Sequence, residues 1–167
     1  AAIAYNVWRY YEATEDREFL AFYGAEMLFE IARFWASIAA FNPERGRYEI
    51  RGVMGPDEFH DRYPWAEAPG LDNNAYTNVM AALDARTLLD PERRAELDET
   101  LALGPQEIAR WEEISRTMFV PFHDGVMSQF GGYERLEEFD WAGYREKYGD
   151  IHRLDRILEA EGDTVNR

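Results

Sequence analysis

The sequence contains no cysteine among its 167 residues, so neither a disulfide nor a thiolate-built metal site enters its stability or chemistry. That absence fits a reducing compartment, and a cytoplasmic location is the expectation. Lysine is nearly missing as well: Lys147 is the single lysine among 18 basic residues, a bias that reflects genome composition rather than mechanism. Against those 18 stand 33 acidic residues, for a net charge of −15. Such a surface repels nucleic acid and anionic membranes, which need basic patches to release counterions or approach headgroups. A neutral substrate meets no such barrier. No apolar run reaches the roughly 18 residues expected of a membrane span, and nothing resembles a signal peptide.

What the sequence has in abundance is aromatic: five Trp, ten Tyr and ten Phe, enough that some can serve beyond the core. Aromatic rings fill cores first and act only secondly as platforms for sugar faces. The length suits one hydrophobic core.

Periodicity predicts an all-α protein. Ile3, Val7, Trp8 and Tyr11 mark a helix over residues 1 to 12. From about Arg17 to Phe41, Glu26, Glu30, Arg33 and Ser37 recur at steps of three or four between apolar residues, which predicts a helix surrounded by protein on most sides. Asn42-Pro43-Glu44-Arg45-Gly46 breaks it, and the alternation from Arg47 to Val53 predicts a short strand or extended segment. Met54 to Leu71 reads as a long loop with Pro56, Pro64 and Pro69; loops of that length are usually functional. Asp72 is the expected N-cap of a helix reaching Leu89, with Tyr76, Val79, Met80 and Leu83 on one face. Pro91 and Pro105 each stand at the first position of a further predicted helix, ending near Leu101 and Met118. Val120 to Phe139 reads as irregular, followed by helices over Trp141 to Tyr148 and Ile151 to Ala160 and a polar tail.

The chemistry concentrates in Gly52-Val53-Met54-Gly55-Pro56-Asp57-Glu58-Phe59-His60-Asp61 and the Asp72-Asn73-Asn74-Ala75-Tyr76-Thr77-Asn78 that follows. A carboxyl beside Phe59 and next to Asp57 can keep its proton at neutral pH, through desolvation and like-charge repulsion, and glycosyl transfer needs such an acid at the leaving oxygen. The plain alternative is a surface turn decorated by Asp57 and Glu58. Asp57, Glu58, His60 and Asp61 also carry metal-binding atoms, but their spacing matches no established zinc or calcium motif, so no metal and no cofactor is expected. His123-Asp124 suggests an acid/base pair, although adjacent residues rarely face each other. There is no phosphate-cradling glycine loop and no nucleophile elbow.

The stretch GVMGPDEFHDRYPWAEAPGLDNNAYTN (residues 52–78) resembles the catalytic segment of glycoside hydrolase family 65, the maltose, trehalose, kojibiose and nigerose phosphorylases and their hydrolytic relatives. GAEMLFEIARFWAS (residues 24–37) is similar to the family helix before it, and VPFHDGVMSQFGGYERLE (residues 120–137) to the loop after it. The resemblance implies that Glu58 is the general acid of an inverting phosphorolysis of an α-linked glucose disaccharide. Inorganic phosphate is then the co-substrate and β-glucose 1-phosphate the product. Asp57 and His60 gain a place in the sugar site by adjacency. Asn73, Asn74 and Tyr76 are candidate sugar ligands, because amides match hydroxyls and a phenol can stack and donate; capping and barrel packing are the alternative for the asparagines. It further implies that residues 1–167 form the central part of an (α/α)6 barrel, lacking an N-terminal β-sandwich, the C-terminal half of the barrel and the phosphate loop. A homodimeric parent enzyme is a further expectation. Two alternatives stand beside this reading: an inverting hydrolase of the same family, and an inactive helical fragment or interaction domain.

Overall fold

The structure is a computed structural model and describes residues 2–55, 61–89 and 104–161, with the backbone alone for 86–89. Asp57, Glu58 and His60 lie outside the described residues, as does the helix expected from Pro91 to Leu101. Helices dominate, joined by two small antiparallel hairpins. In chain order they are α1 (Ala2–Thr14), α2 (Ala25–Ile38), β1 (Ala40–Asn42), β2 (Arg47–Glu49), α3 (Ala75–Leu89), α4 (Pro105–Thr117), β3 (Phe122–His123), β4 (Val126–Met127), α5 (Trp141–Tyr148) and α6 (Leu154–Ala160). No helix among the described residues is long and apolar enough to cross a membrane.

A short turn of helix, Arg17–Phe19, is capped by the Asp16 carboxylate, which accepts the Phe19 N–H at 2.9 Å. A π-helical turn over Leu20–Gly24 carries it into α2. The helix expected to reach Phe41 stops at Ile38. Pro43 forces the residue before it towards an extended backbone, and Ala40 to Asn42 then pair with Glu49 to Arg47. The Asn42 side chain closes the hairpin turn by accepting the Glu44 N–H at 3.0 Å.

The core lies between α1, α2, α3 and α4. Phe29 is fully buried and stacks on Trp111, with ring centroids 5.8 Å apart. Polar links cross the same interface. Arg33 donates to Glu107 at 2.7 Å, and Arg110 donates to the Ala36 and Ala39 carbonyls, closing the C-terminal end of α2. Tyr48 donates to Glu113 at 3.0 Å and, through its carbonyl, receives the Phe119 N–H, tying β2 to the exit of α4. On the outer side of α2, Met27, Phe34 and Ile38 are exposed together with Phe22 and Tyr23, so this helix is buried on one side only against the described residues.

One expectation about α3 is corrected. Asp72 is not its N-cap, because its carboxylate accepts the Gly52 N–H at 3.1 Å and Asn73 sits at φ 56°, outside the helix. Asn74 caps instead, accepting the Thr77 N–H at 3.0 Å. The face through Tyr76, Val79 and Leu83 is the more exposed one; the buried face runs through Asn78, Ala81, Asp84 and Ala85. Small side chains at 81 and 85 let α3 approach its neighbours closely, which outweighs the larger apolar residues opposite.

Candidate functional site

Between Val53 and Leu71 the chain leaves the core and returns. Val53 and Leu71 exchange backbone hydrogen bonds at 3.0 and 2.8 Å, and Gly70 donates to the Asp61 carbonyl at 2.6 Å. The crossing at this neck is too tight for a side chain: a Cβ on Gly70 would stand 2.7 Å from the Gly52 Cα, and Gly70 has φ 115°. Residues 56–60, which carry the expected acid, stand in the sequence between these two ends and are outside the described residues.

The loop forms one wall of a cleft of about 460 Å³. At its back is Glu49, buried and saturated. One carboxylate oxygen accepts the Asn42 amide at 3.0 Å and the Arg45 Nε at 3.1 Å; the other accepts Arg51 Nη2 at 2.6 Å and its Nε at 3.0 Å. A buried carboxylate needs such a full complement of donors, and two guanidiniums supply it. Arg45 in turn lies 4.7 Å from the Phe119 ring, across the cleft from the loop.

The loop wall is built on Tyr63. Its hydroxyl donates to the Gly131 carbonyl at 2.7 Å and accepts the Asp72 N–H at 2.9 Å, so it staples the loop to the strap around Gly131 and Gly132. Burial pushes the Tyr63 phenol up from its ordinary value of 10.0, which keeps it a donor across the physiological range. The strap is held in turn by the Gly131 N–H on the Asp72 carbonyl at 2.9 Å. Trp65 stacks on Tyr63 at 5.0 Å and 17°, and Arg135 lies over the Trp65 ring at 4.0 Å.

Of the residues expected at a sugar site, the structure brings Asn73 to the cleft. Its side-chain oxygen accepts the Asn78 amide at 3.2 Å, and Asn78 also donates to the Phe119 carbonyl at 2.7 Å. Asn74 is buried as the α3 cap, and Tyr76 is half-exposed outside the cleft lining. His123 stands 3.5 Å from Asp124 on an exposed hairpin; its neighbour Phe122 lines the cleft, but His123 does not. Among the described residues no three His, Asp or Glu side chains converge as a metal site.

Sequence reasoning missed Glu49, Arg51, Tyr63, Trp65 and Arg135. The signal for the first four was present: the step of two in Glu49/Arg51 and in Tyr63/Trp65 sets each pair on one face of extended backbone. Three arginines and four carboxylates line the cleft, so its own charge is close to balanced. Such a lining, with an aromatic wall and fixed amide and guanidinium donors, suits a neutral, hydroxyl-rich ligand.

Comparison with known proteins places the whole chain. Residues 1–167 match the glycosyl hydrolase family 65 central catalytic domain. An uncharacterized glycosyl hydrolase of Mycobacterium tuberculosis is 58% identical over 171 residues, covering 99% of this chain and 13% of the relative. The trehalose 6-phosphate phosphorylase of Lactococcus lactis is 39% identical over 163 residues, covering 96% and 20%. The kojibiose phosphorylase of Thermoanaerobacter brockii is 38% identical over 144 residues, covering 80% and 18%. A solved structure from the human microbiome, assigned as a kojibiose phosphorylase, superposes with a TM-score of 0.68 at 25% identity, over 93% of this chain and 23% of that one. The chain thus spans no more than a fifth of the curated relatives named here, and over that span it belongs to glycosyl hydrolase family 65, in the central catalytic domain.

Proposed function

We propose that this chain is the central part of the (α/α)6 barrel of an inverting phosphorylase that acts on an α-linked glucose disaccharide, with Glu58 as general acid. A phosphate oxygen attacks the anomeric carbon from the face opposite the glycosidic bond. That bond breaks with its electron pair on the leaving oxygen, Glu58 supplies the proton, and the products are β-glucose 1-phosphate and the released sugar. The observation that carries this reading is the Gly55-Pro56-Asp57-Glu58-Phe59-His60 run in the sequence, followed a few residues on by Tyr63 and Trp65, which line the charge-balanced cleft. Asp57, His60 and Asn73 are the sugar-contacting candidates. Asn74, which also caps α3, and the half-exposed Tyr76 are further candidates. The phosphorolytic activities in the names of the Lactococcus and Thermoanaerobacter relatives favour phosphate as the nucleophile.

A hydrolytic variant, with water replacing phosphate, is the second reading, favoured by the glycosyl hydrolase name of the 58% identical relative. The experiment is to incubate the full-length protein with maltose, trehalose, kojibiose and trehalose 6-phosphate, with and without inorganic phosphate. Phosphate-dependent β-glucose 1-phosphate supports the phosphorylase; phosphate-independent release of glucose supports the hydrolase. No turnover of any disaccharide under either condition sinks both.

A further inference from the structure

Arg135 is a cation without a carboxylate in a chain of 33 acidic residues: among the described residues it makes no ion pair, and its one described side-chain partner is the Trp65 ring, 4.0 Å away. Arginines in acidic proteins find carboxylates easily, so a position that holds one on an aromatic face instead calls for an account. Stacking supplies it. A guanidinium lying over a ring spends its face and leaves its in-plane N–H groups aimed outward as a planar fork. Trp65 is itself backed on Tyr63, at 5.0 Å and 17°, so the stack is three layers deep.

The mount is rigid. The Arg135 N–H donates to the Gly132 carbonyl at 3.0 Å, and Gly131 is pinned to Tyr63 and Asp72. Gly132 has φ 84°, a conformation that glycine adopts without strain, and its Cα faces the Tyr63 and Trp65 rings. The stem of Arg135 therefore starts from a fixed backbone, and the Trp65 ring positions its guanidinium at the cleft.

From this we propose that Arg135, oriented by Trp65, is a specificity-determining residue that binds the hydroxyls of a neutral sugar in the cleft. The inference rests on the functional reading above and adds the residue and the chemical class. An anion is disfavoured at this place, since four carboxylates share the lining with three arginines and the chain carries −15 overall. Adjacent sugar hydroxyls take a bidentate fork without bringing charge.

The test is kinetic, on the full-length protein carrying Arg135→Ala, Arg135→Lys or Trp65→Phe, with thermal unfolding run alongside. Arg135→Ala is expected to raise KM for a neutral disaccharide about tenfold, the size of one lost charge-assisted hydrogen bond, with kcat little changed. Arg135→Lys should not restore it, because an ammonium has no fork, and Trp65→Phe should fall between. Unchanged KM in Arg135→Ala overturns the inference. So does a defect confined to trehalose 6-phosphate, which would make the site an anion site. If the wild type turns over no disaccharide, the functional reading fails separately, and saturation-transfer NMR with maltose decides this one. Binding lost in Arg135→Ala upholds it; equal binding, or none in the wild type, overturns it.

Discussion

Trp111 and Trp65 are the same side chain under two regimes. Trp111 is 2% exposed, stacks on Phe29 and sits where α2 meets α4; Trp65 is 47% exposed and lies between a tyrosine and an arginine on a loop. The first region is held by burial, and its polar links, such as Arg33 to Glu107, decorate a packing that area already explains. The second region has only a small buried centre, Leu71 and Phe130, the latter edge-on to Tyr63. Around that centre it is held by individual hydrogen bonds, with Tyr63 joining three segments through one hydroxyl. Packing tolerates small errors in many places, while a loop assembled on single bonds concentrates its dependence in a few residues. The difference predicts that substitutions on the helical side change stability, and those on the cleft side change catalysis.

The largest effect should come from Glu58→Gln in the full-length protein. It is expected to lower kcat by about 10²- to 10⁴-fold on an unactivated disaccharide, with the unfolding temperature unmoved. Near-normal kcat would make Glu58 a structural carboxylate and dissolve the contrast. Next is Trp111→Ala, expected to cost about 3–5 kcal/mol in denaturant unfolding, whereas Trp65→Ala should cost under about 1 kcal/mol. Equal losses at the two tryptophans would erase the distinction between the regions.

A third prediction probes the charge within the helical region. Burial raises the Asp84 carboxyl from 3.8 to about 6, against the opposing influence of the Trp35 indole beside it. Because the folded state holds the proton more tightly, the associated stability is fully present below pH about 4 and is lost as pH rises through about 6. Asp84→Asn should flatten that slope and, at pH 7, raise stability by an amount on the order of 2 kcal/mol. An unchanged slope in thermal melts from pH 4 to 7 would show that Asp84 is solvated. The smallest effect is Asn74→Ala, which removes the α3 cap and should cost about 1 kcal/mol. A KM change alongside that loss would put Asn74 at the sugar site as well as at the cap, and an unchanged KM would leave it the cap alone.

How far the sequence could be read follows the same division. Helices α1, α2 and α4 were legible because their apolar residues recur at helical spacing, and α5 because its ends coincide with Asp140 and Gly149. The end of α2 was misjudged because strand pairing with Arg47 to Glu49 is a long-range event that local periodicity does not register. The buried face of α3 was not legible, because alanines carry a weak hydrophobic signal while permitting the closest packing. At the site, Asn73 was visible in its motif. Arg135 was not, since the stack that defines it joins residues 65 and 135, and nothing local in the sequence announces the pairing.

The neck at Gly52 and Gly70 has a consequence for how this chain could be remodelled. With both ends of the loop clamped to each other, changes in its length are not transmitted to β2 or α3. Positions between the clamps other than the proposed acid Glu58 and the wall residues Tyr63 and Trp65, which tie the loop to Gly131 and Arg135, can therefore be exchanged, altering what reaches the cleft while the scaffold stays as it is. Gly70 is the residue such grafts must keep, because any side chain there would strike the opposite strand of the neck.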